Sequence, residues 1–393
     1  MRVLIVGAGV AGLTAALCLR KAGFEVTVLE RAHALEDVGA GIQIGPNAHH
    51  VLSALGISER LEHLAVAPGA LSLRNGVNGR DIFSIPANNN RWRAPYWHVH
   101  RADLIEALSD ALDDDVLHLG TTIVDLDIAS PTSRVLTGSK ITLEADLIIA
   151  ADGVHSTLRR FVSSETKPRF TGNVACRATI PVERLGPHAP PRDATVWAGR
   201  GAHAVTYQLR GGKLANLVAV FEQPNWEQTD WTAVGDRAAL IRRFSGWHPV
   251  VTTLIDRADT HYQWALLDHE PIAKPYRGNL VAIGDASHPM LPFLAQGGAM
   301  AIEDAWMLAA SLTNATVDVA LSRFAALRLS RVRRVYAGAK RNQTIFHMPS
   351  KLGQALLWGG MRTVARLPGQ AFARGLDWLY DYNPVTAFPM NSP

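Results

Sequence analysis

A run of glycines near the N terminus has the spacing that holds the phosphates of a dinucleotide. Gly7, Gly9 and Gly12 form a Gly-x-Gly-x-x-Gly pattern, and Glu30 follows it. The first glycine permits a tight turn, the second lets the backbone approach a pyrophosphate, and the third lets a helix pack on a strand. An acidic residue in the position of Glu30 accepts hydrogen bonds from a ribose diol. These residues predict a dinucleotide site, but they do not distinguish NAD from FAD.

A second glycine-rich helix start lies far from the first, in VAIGDASHPMLPFLAQGGAMAIEDA (residues 281–305). This segment predicts an apolar strand that ends at Gly284-Asp285, then a loop with prolines, and then a helix that begins near Gln296, Gly297 and Gly298. The amide groups at a helix start carry partial positive charge and attract anions. The residues alone do not say why the chain has a second site of this kind so far from the first.

A histidine and a tyrosine in HAVTY (residues 203–207) have the spacing for shared chemistry. Side chains alternate along a strand, so His203 and Tyr207 project from the same face. With an ordinary pKa of about 6.5, a histidine suits a general base that works near neutrality. A lone histidine on a strand is more often a satisfied structural residue, so the residues alone leave both roles open.

The elements that must position these residues fall into two kinds. Around the first glycines the sequence predicts a buried strand at 3–6, a helix to about Ala22 and a strand at 24–29, which together form a βαβ unit. In residues 171–269, apolar and polar residues instead alternate, and Val, Thr, Trp and Tyr are frequent. Gly211-Gly212 predicts a hairpin turn in this region. The sequence therefore predicts a nucleotide-binding α/β part and a mainly antiparallel sheet.

Length and composition exclude several classes of protein. The chain has 393 residues, of which 48% are hydrophobic and 19% charged, and its formal net charge is +4. Such a charge is mild for this length and does not indicate a nucleic-acid partner. Cys18 and Cys176 lack metal-type spacing, so neither a disulfide framework nor a metal site is expected. An uncharged run at 3–19 imitates a signal peptide, but its glycines and short length argue against targeting or membrane insertion, and a cytoplasmic location is expected.

Further motifs give the sequence a family resemblance over nearly its whole length. HVHRADLIEAL (98–108), DLIIAADGVHSTLRR (146–160) and the segment with Gly284-Asp285 follow the first glycines in order. With them the chain resembles the single-component FAD-dependent aromatic hydroxylases, close to salicylate hydroxylase and 3-hydroxybenzoate 6-hydroxylase. The resemblance implies FAD as the cofactor, with NADH or NADPH and O2 as co-substrates. Asp152-Gly153 is expected to form a tight turn after the strand at 147–150, which either supports the nicotinamide groove that the resemblance implies or has a structural role only.

The resemblance assigns the second helix start to the far half of FAD. Asp285 is expected to bind the ribityl hydroxyls. The amides of Gly297 and Gly298 are expected to face the flavin ring, where their dipoles favour its anionic reduced form. Arg101 is placed beside the phosphate and ribityl region, and Arg31 is also assigned to the cofactor site.

The chemistry implied by the resemblance needs an electron-rich ring, because the C4a-hydroperoxyflavin that transfers oxygen is an electrophile. A phenol should therefore be deprotonated or strongly hydrogen-bonded as oxygen transfers. The resemblance places His203 and Tyr207 over the flavin and adds Gln296 as a third catalytic residue. His203 is expected to take the phenolic proton, and Tyr207 or Gln296 to orient the phenol oxygen. Gln43 stands where the hydroxynicotinate branch carries a histidine, which weakens that assignment.

The implied fold is α/β and of the p-hydroxybenzoate hydroxylase type, with a Rossmann-like FAD-binding domain, a β-sheet substrate domain and C-terminal helices. The expected boundaries are 1–75, 100–170 and 270–340 for the FAD-binding domain, 76–99 and 171–269 for the substrate domain, and 341–393 for the helical segment. The expected activity is hydroxylation of a small phenolic aromatic of the hydroxybenzoate kind. The alternatives are decarboxylative hydroxylation of salicylate-like or hydroxypyridine acids such as hydroxynicotinate, and a flavin-binding protein without turnover. A monomer or homodimer without a nucleic-acid or membrane partner is expected.

Two segments lie outside these motifs. A basic helix at 321–343 carries an apolar stripe, so its charges are interpreted as the solvated face of a packed helix. The tail from Leu352 is rich in aromatic residues and predicts one or two helices. Those helices either pack on the core or form a dimer surface.

Overall fold

The apolar runs VLIV and LIIA become the central strands of the protein. A computed structural model describes residues 1–35, 40–87, 91–129, 131–163, 168–226, 233–366 and 371–390. The strands are β1 (Arg2–Val6), β2 (Glu25–Leu29), β3 (Gly41–Ile44), β4 (Ala70–Asn75), β5 (Asp81–Pro86), β6 (Trp97–His100), β7 (Leu117–His118), β8 (Ile123–Asp127), β9 (Ser133–Thr137), β10 (Thr142–Ala145), β11 (Leu147–Ala150), β12 (Arg169–Pro181), β13 (Ala194–Gly199), β14 (Ala202–Leu209), β15 (Leu214–Glu222), β16 (Tyr262–Asp268), β17 (Tyr276–Arg277) and β18 (Leu280–Ala282). The helices are α1 (Val10–Lys21), α2 (Pro46–Ala54), α3 (Ser58–Leu61), α4 (Arg101–Ser109), α5 (Arg159–Val162), α6 (Arg237–Arg243), α7 (Pro249–Arg257), α8 (Gly297–Leu312), α9 (Val317–Phe346), α10 (Lys351–Ala365), α11 (Ala371–Arg374), α12 (Asp377–Tyr380) and α13 (Pro384–Ala387).

A largely parallel sheet brings distant motifs to one edge. Its strand order is β17-β18-β11-β1-β2-β7, with β1 parallel to β2 and β11, and β11 parallel to β18. Because parallel strands end at the same edge, the carboxyl ends of β1, β11 and β18 meet there. The turns after these strands carry Gly7, Asp152-Gly153 and Gly284-Asp285. Motifs that are far apart in the sequence therefore lie close together at the carboxyl edge of the parallel sheet.

Helices α1 and α8 pack on each other beside this sheet. Leu13 and Leu19 from α1 are fully buried with Ile302 and Leu308 from α8, in one core that also holds Ile5 of β1. Helix α1 begins directly after the turn of Gly7 and Gly9, and α8 begins at Gly297-Gly298, after the loop that follows Gly284-Asp285. The packing of the two helices therefore sets the distance between the turns.

A second, mainly antiparallel sheet has the strand order β16-β12-β15-β14-β13-β4-β5. Only the pairing of β13 with β4 is parallel among its described pairs. Strands β14 and β15 are joined by the short turn Arg210–Gly212, so the predicted hairpin at Gly211-Gly212 is confirmed. Strand β4, which lies within residues 1–75, pairs with β13 of this sheet from Leu71 to Asn75. The predicted domain boundaries stay predictions. Strands β8, β9 and β10 form a smaller sheet, and β3 pairs with β6.

The C-terminal part is helical, as predicted, but it contains α10 to α13 where one or two helices were expected. Helix α9 buries Phe324, Val332 and Val335, which confirms the packed stripe of the basic segment. In the tail, Trp358 and Tyr380 are buried in the core. Within the described ranges, none of the helices combines the length and apolar character that crossing a membrane requires.

Candidate functional site

The first glycine turn has the geometry that close backbone packing requires. Gly7 has a φ of +105°, and a Cβ at Gly12 would lie 1.9 Å from the Gly7 carbonyl oxygen. The Gly7 amide donates to the carbonyl of Leu29 at 2.8 Å. A Cβ at Gly9 would meet no atom within 4 Å, and Gly9 lines a cavity. Gly7 and Gly12 therefore shape the turn, whereas Gly9 leaves its backbone open to a ligand.

Glu30 and Arg31, at the end of β2, lie in different environments. The Glu30 carboxylate accepts hydrogen bonds from the amides of Ala8 at 2.8 Å and Ala32 at 2.9 Å. These bonds hold the carboxylate beside the glycine turn, and each of its oxygens keeps a lone pair for a ribose hydroxyl. The side chain of Arg31 is exposed, and neither Arg31 nor Glu30 is part of the described lining of the cavity. The geometry thus supports a cofactor contact for Glu30 more directly than for Arg31.

Asp285, in the 3₁₀ turn Gly284–Ala286, lines the same cavity. Its half-buried carboxylate has no hydrogen-bond partner among the described residues, and burial raises its pKa. Such a group fits a ligand that donates hydroxyl groups. Asp304 supports the turn from below, since it accepts hydrogen bonds from the Gly284 amide at 2.9 Å and from His288 Nε2 at 2.5 Å.

The start of α8 and the start of α4 complete this end of the cavity. Gly297 and Gly298 line it, and a Cβ at Gly298 would lie 2.6 Å from Cδ1 of Ile42. Arg101, the first residue of α4, also lines it and donates its amide to the carbonyl of Ala40 at 2.9 Å. Amide dipoles and a guanidinium therefore face a common space that suits an anionic ligand.

One cavity, of about 330 Å³, gathers most of the predicted site residues. Those that line it are Gly9, Arg101, His203, Tyr207, Asp285, Gly297 and Gly298. A larger cleft of about 720 Å³ lies elsewhere, between residues 183–188 and 241–257, and contains none of them. The cavity, and not the larger cleft, is the candidate site.

Strands β12, β14 and β15 form the roof of the cavity. His203 pairs with Val220, and Val218 lies between Val205 and Arg177, so these side chains share one face. Arg177 is 5% exposed, and its guanidinium stacks on the Trp264 ring at 5.2 Å. The roof is therefore apolar, with one imidazole, one phenol (from Tyr207) and one cation. Arg177 was absent from the predicted site residues, because its position depends on strand pairing that the sequence does not state.

Burial sets the protonation states of the two predicted roof residues. His203 and Tyr207 are 2% and 3% exposed. Burial, with a contribution from His347, lowers the pKa of His203 well below its usual range. Burial raises the pKa of the Tyr207 phenol. At neutral pH, His203 is therefore a neutral imidazole that can accept a proton, and Tyr207 is a phenol that can donate a hydrogen bond.

Two further polar residues surround Tyr207. Gln43 lines the cavity and accepts a hydrogen bond from the Tyr96 hydroxyl at 2.5 Å. The fully buried ring of His98 lies 4.5 Å from the Tyr207 ring, and burial lowers its pKa to about 3. Sequence reasoning missed His98, which is a neighbour of Tyr207 only because β6 lies beside β14.

Gln296, predicted as a third catalytic residue, does not line the cavity. It is 1% exposed, and its Oε1 accepts a hydrogen bond from Nδ2 of Asn47 at 3.0 Å. Asn47 also donates to Glu303 at 2.6 Å, and Glu303 forms ion pairs with Arg328 and Arg331. Helix α2 thus draws the Gln296 side chain into a buried polar cluster. The expected contact with a phenol oxygen has no support in this arrangement.

Asp152 has the contacts of a tight turn. Its carboxylate accepts hydrogen bonds from the hydroxyl of Ser156 at 2.5 Å and the amide of Thr157 at 2.8 Å. The following Gly153 lines the cavity. Of the two alternatives for Asp152-Gly153, the geometry supports the structural turn, and a nicotinamide groove stays a hypothesis.

Comparisons with known proteins show that this chain is similar to flavin-dependent enzymes. The FAD binding domain family matches residues 1–339. The 3-amino-4-hydroxybenzoate 2-monooxygenase PtmB3 of Streptomyces platensis is 34% identical over 383 residues, which cover 96% of each chain. The 3-hydroxybenzoate 6-hydroxylase of Klebsiella oxytoca is 31% identical over 395 residues, which cover 97% of each chain. The structure of Klebsiella pneumoniae HpxO complexed with FAD and uric acid has a TM-score of 0.87 at 25% identity, covering 100% of this chain and 98% of HpxO.

The two glycine-rich turns beside one cavity and the similarity to flavin enzymes along the whole chain define an FAD-dependent monooxygenase of aromatic compounds. The chain belongs to the FAD binding domain family. The resemblance expected from the sequence, the FAD cofactor and the p-hydroxybenzoate hydroxylase type of fold are thereby confirmed.

Proposed function

We propose that this monooxygenase hydroxylates a small phenolic acid of the hydroxybenzoate type, with NAD(P)H as the reductant and O2 as the oxygen source. The observation that carries the proposal is the position of His203 and Tyr207 in the same cavity as Asp285, Gly297 and Gly298. A substrate in this cavity would lie between the flavin turns and the roof. The names of the two hydroxybenzoate-acting relatives support the substrate class.

The described residues fit FAD as the resident cofactor. Gly9 and Glu30 suit the adenylate end, and the unpaired carboxylate of Asp285 suits the ribityl hydroxyls. Gly297 and Gly298 place their amides at the far end, where the ring would lie. When bound and reduced, FAD supplies the activated oxygen that the ring acquires.

His203 would act as the general base. A neutral imidazole can accept the phenolic proton, and the resulting phenolate is a better nucleophile than the phenol. Tyr207 stays protonated, so it would donate a hydrogen bond to the phenolate oxygen and fix its direction. The valine surface of the roof around these groups, Val205, Val218 and Val220, would exclude water from the ring.

Arg177 would bind the carboxylate of the substrate. It is the cation among the described residues of the roof, and its guanidinium stacks on the Trp264 ring. A guanidinium binds a carboxylate through two parallel hydrogen bonds, which fixes the orientation of an aromatic acid. Arg177 and His203 together would select a ring that carries both an acid and a phenol.

A substrate panel tests the proposal directly. The purified holoenzyme is incubated with hydroxybenzoates, salicylates, hydroxypyridine acids and neutral phenols, and NAD(P)H oxidation, hydrogen peroxide and product are measured together. We expect coupled product formation with a hydroxybenzoate. Carbon dioxide release from a salicylate would favour the decarboxylative alternative. If no phenol in the panel accelerates NAD(P)H oxidation, the proposal is wrong.

A further inference from the structure

A second imidazole lies directly behind the roof histidine. Nδ1 of His203 and Nε2 of His347 are 2.7 Å apart. His347 follows the end of α9, is 4% exposed, and accepts a hydrogen bond from the Gly201 amide through its carbonyl at 3.3 Å. With Nδ1 of His203 engaged in this way, Nε2 is the ring nitrogen left for a substrate. The hydrogen bond therefore also selects which nitrogen of His203 can act as the base.

The connection continues toward the surface at Glu222. Nδ1 of His347 lies 3.9 Å from Oε1 of Glu222, too far for a hydrogen bond. This nitrogen is buried, and no described residue hydrogen-bonds to it. The Glu222 side chain is 58% exposed, at the end of β15. An unpartnered imidazole nitrogen thus faces a solvent-exposed carboxylate that a change of rotamer can bring into contact.

We propose that His347 and Glu222 form a proton path that connects the cavity-facing ring of His203 with solvent. The inference rests on the proposed function, in which His203 removes the phenolic proton. His347 and Glu222 do not touch the substrate, so they are positioning residues that act through His203.

The protons balance along this path. The phenol O–H bond breaks as an N–H bond forms at Nε2 of His203. The proton on Nδ1 of His203 passes to Nε2 of His347. The proton on Nδ1 of His347 passes to the carboxylate of Glu222, which then releases it to solvent. No group is oxidised or reduced, and the substrate is left as a phenolate. The same steps in reverse return a proton to the oxygen of the product.

The surroundings of the two imidazoles favour passing a proton on rather than holding it. Burial, with a contribution from the nearby Arg243, lowers the pKa of His347 to about 4, and burial lowers that of His203, so neither imidazole holds an extra proton at neutral pH. The charged groups that face the pair are Arg243 from α6 and Glu222 from β15. Arg243 is held away by hydrogen bonds to the carbonyls of Arg200 and Gly201. The aromatic rings of Phe293 and Phe346 enclose the rest of the pair.

The test measures proton release when a substrate phenol from the panel is mixed with oxidised holoenzyme in weak buffer containing a pH indicator dye. His347→Gln keeps a hydrogen-bonding group beside His203 but cannot carry a proton through a ring. We expect it to slow proton release by about 10- to 100-fold, below the full effect of a directly acting base. Glu222→Gln should slow release in the same sense. FAD content, substrate affinity and flavin reduction by NAD(P)H should stay unchanged, and added imidazole should restore the rate.

Matched control variants distinguish a loss of proton transfer from a general disturbance of the fold. His261→Gln alters a buried histidine whose ring hydrogen-bonds to the backbone carbonyl of Ile255, and Glu183→Gln alters an exposed carboxylate outside the cavity. Both should release protons at the rate of the unaltered protein. If His347→Gln loses FAD, the exposed Glu222→Gln variant still gives the answer.

The outcomes also separate this inference from the proposed function. Unchanged proton release in both His347→Gln and Glu222→Gln, with product loss still seen in His203→Ala, would overturn the path and leave His203 as the base. Normal coupling in His203→Ala would instead overturn the base and the path with it. Slow release that imidazole does not restore would show a structural effect, and it would also overturn the path.

Discussion

The two ends of the cavity are built from different parts of the chain. The cofactor end consists mostly of backbone, at the turns of Gly9 and Gly298, together with the carboxylate of Asp285. The Glu30 carboxylate lies beside the first turn, where it accepts a hydrogen bond from the Ala8 amide. The roof end consists of side chains from paired strands, which meet only when the antiparallel sheet forms. Changes at the cofactor end should therefore loosen FAD, whereas changes at the roof should keep FAD and lose product.

His203→Ala makes the sharpest test of this division. FAD binding and flavin reduction should be normal, because neither requires a substrate base. Hydroxylation should fall by about 10²- to 10⁴-fold, the usual contribution of a positioned base, with hydrogen peroxide released in place of product. The measurement is the ratio of product to NAD(P)H consumed. Loss of FAD from this variant would break the comparison, because a roof residue would then be supporting the cofactor.

The pH dependence of the same variant has a defined sign. The pKa of His203 is lowered, so the imidazole is neutral throughout the neutral range, and coupling in the unaltered protein should be flat there. In His203→Ala, coupling should rise as the pH approaches the pKa of the phenol, because solvent then supplies the phenolate. Tyr207→Phe should show a smaller loss and no such rise. A flat, low profile in His203→Ala would contradict the role as base.

Arg177→Gln probes the other polar group of the roof. Loss of a charge-assisted pair with a carboxylate should weaken the binding of a hydroxybenzoate by about 1.5 to 3 kcal/mol, or roughly 10- to 150-fold. The affinity for a neutral phenol should change little. Titration of the flavin absorbance gives both affinities, and Arg184→Gln, at an exposed ion pair with Asp259, is the control. Equal weakening for both ligands would assign Arg177 to packing.

Glu30→Ala moves the test to the cofactor end. The ribose hydroxyls and the amides of Ala8 and Ala32 would lose their acceptor, so FAD should bind more weakly by about 1 to 3 kcal/mol. Once FAD is restored in excess, coupling should be normal. Equilibrium dialysis of FAD checks the affinity, with Glu25→Ala on the exposed side of β2 as the control. Unchanged FAD affinity would remove Glu30 from the site.

The same difference explains what the sequence could reveal. The turns of Gly7, Gly12 and Gly284-Asp285 are each encoded within one short segment, so spacing alone predicted them. The position of His203 and Tyr207 on one face of the sheet was also predictable, because side chains alternate along a strand and these two residues are four apart. Arg177 lies on β12 and His347 beyond α9, and their places beside the cavity depend on strand register and helix packing. No local pattern encodes these contacts.

Gln296 shows the limit of a pattern even where the local structure is correct. Its position before α8 agrees with the prediction, but its side chain direction is decided by Asn47, which belongs to a distant helix. Asn47 is itself held by Glu303, whose charge Arg328 and Arg331 balance. The cluster fixes the direction of the Gln296 side chain although Nε2 of Gln296 and Oδ1 of Asn47 have no hydrogen-bond partner among the described residues. All of these residues can be read from the sequence, but which of them Gln296 contacts depends on how the distant helices pack.

The smallest expected effect separates two neighbouring glycines at the flavin end. A Cβ at Gly298 would lie 2.6 Å from Cδ1 of Ile42, whereas at Gly297 the nearest atom, Oδ1 of Asp285, is 4.0 Å away. Because the clash is with the end of a flexible side chain, Gly298→Ala should cost only an off-rotamer adjustment of about 0.5 to 1.5 kcal/mol. We expect FAD to bind to Gly298→Ala with slightly lower affinity and a shifted flavin spectrum.

Gly297→Ala is the matched partner of that variant, since its methyl group meets no close neighbour. It should retain FAD affinity within the error of dialysis, unless the flavin itself lies against the new methyl group. A larger loss of FAD affinity in Gly297→Ala than in Gly298→Ala would therefore place the cofactor closer to Gly297. No atom of the described residues lies close to the new methyl group at Gly297, so only the bound cofactor could clash with it. The pair of spectra and affinities thus locates the flavin ring along the start of α8. That position decides whether the substrate between ring and roof can reach Nε2 of His203.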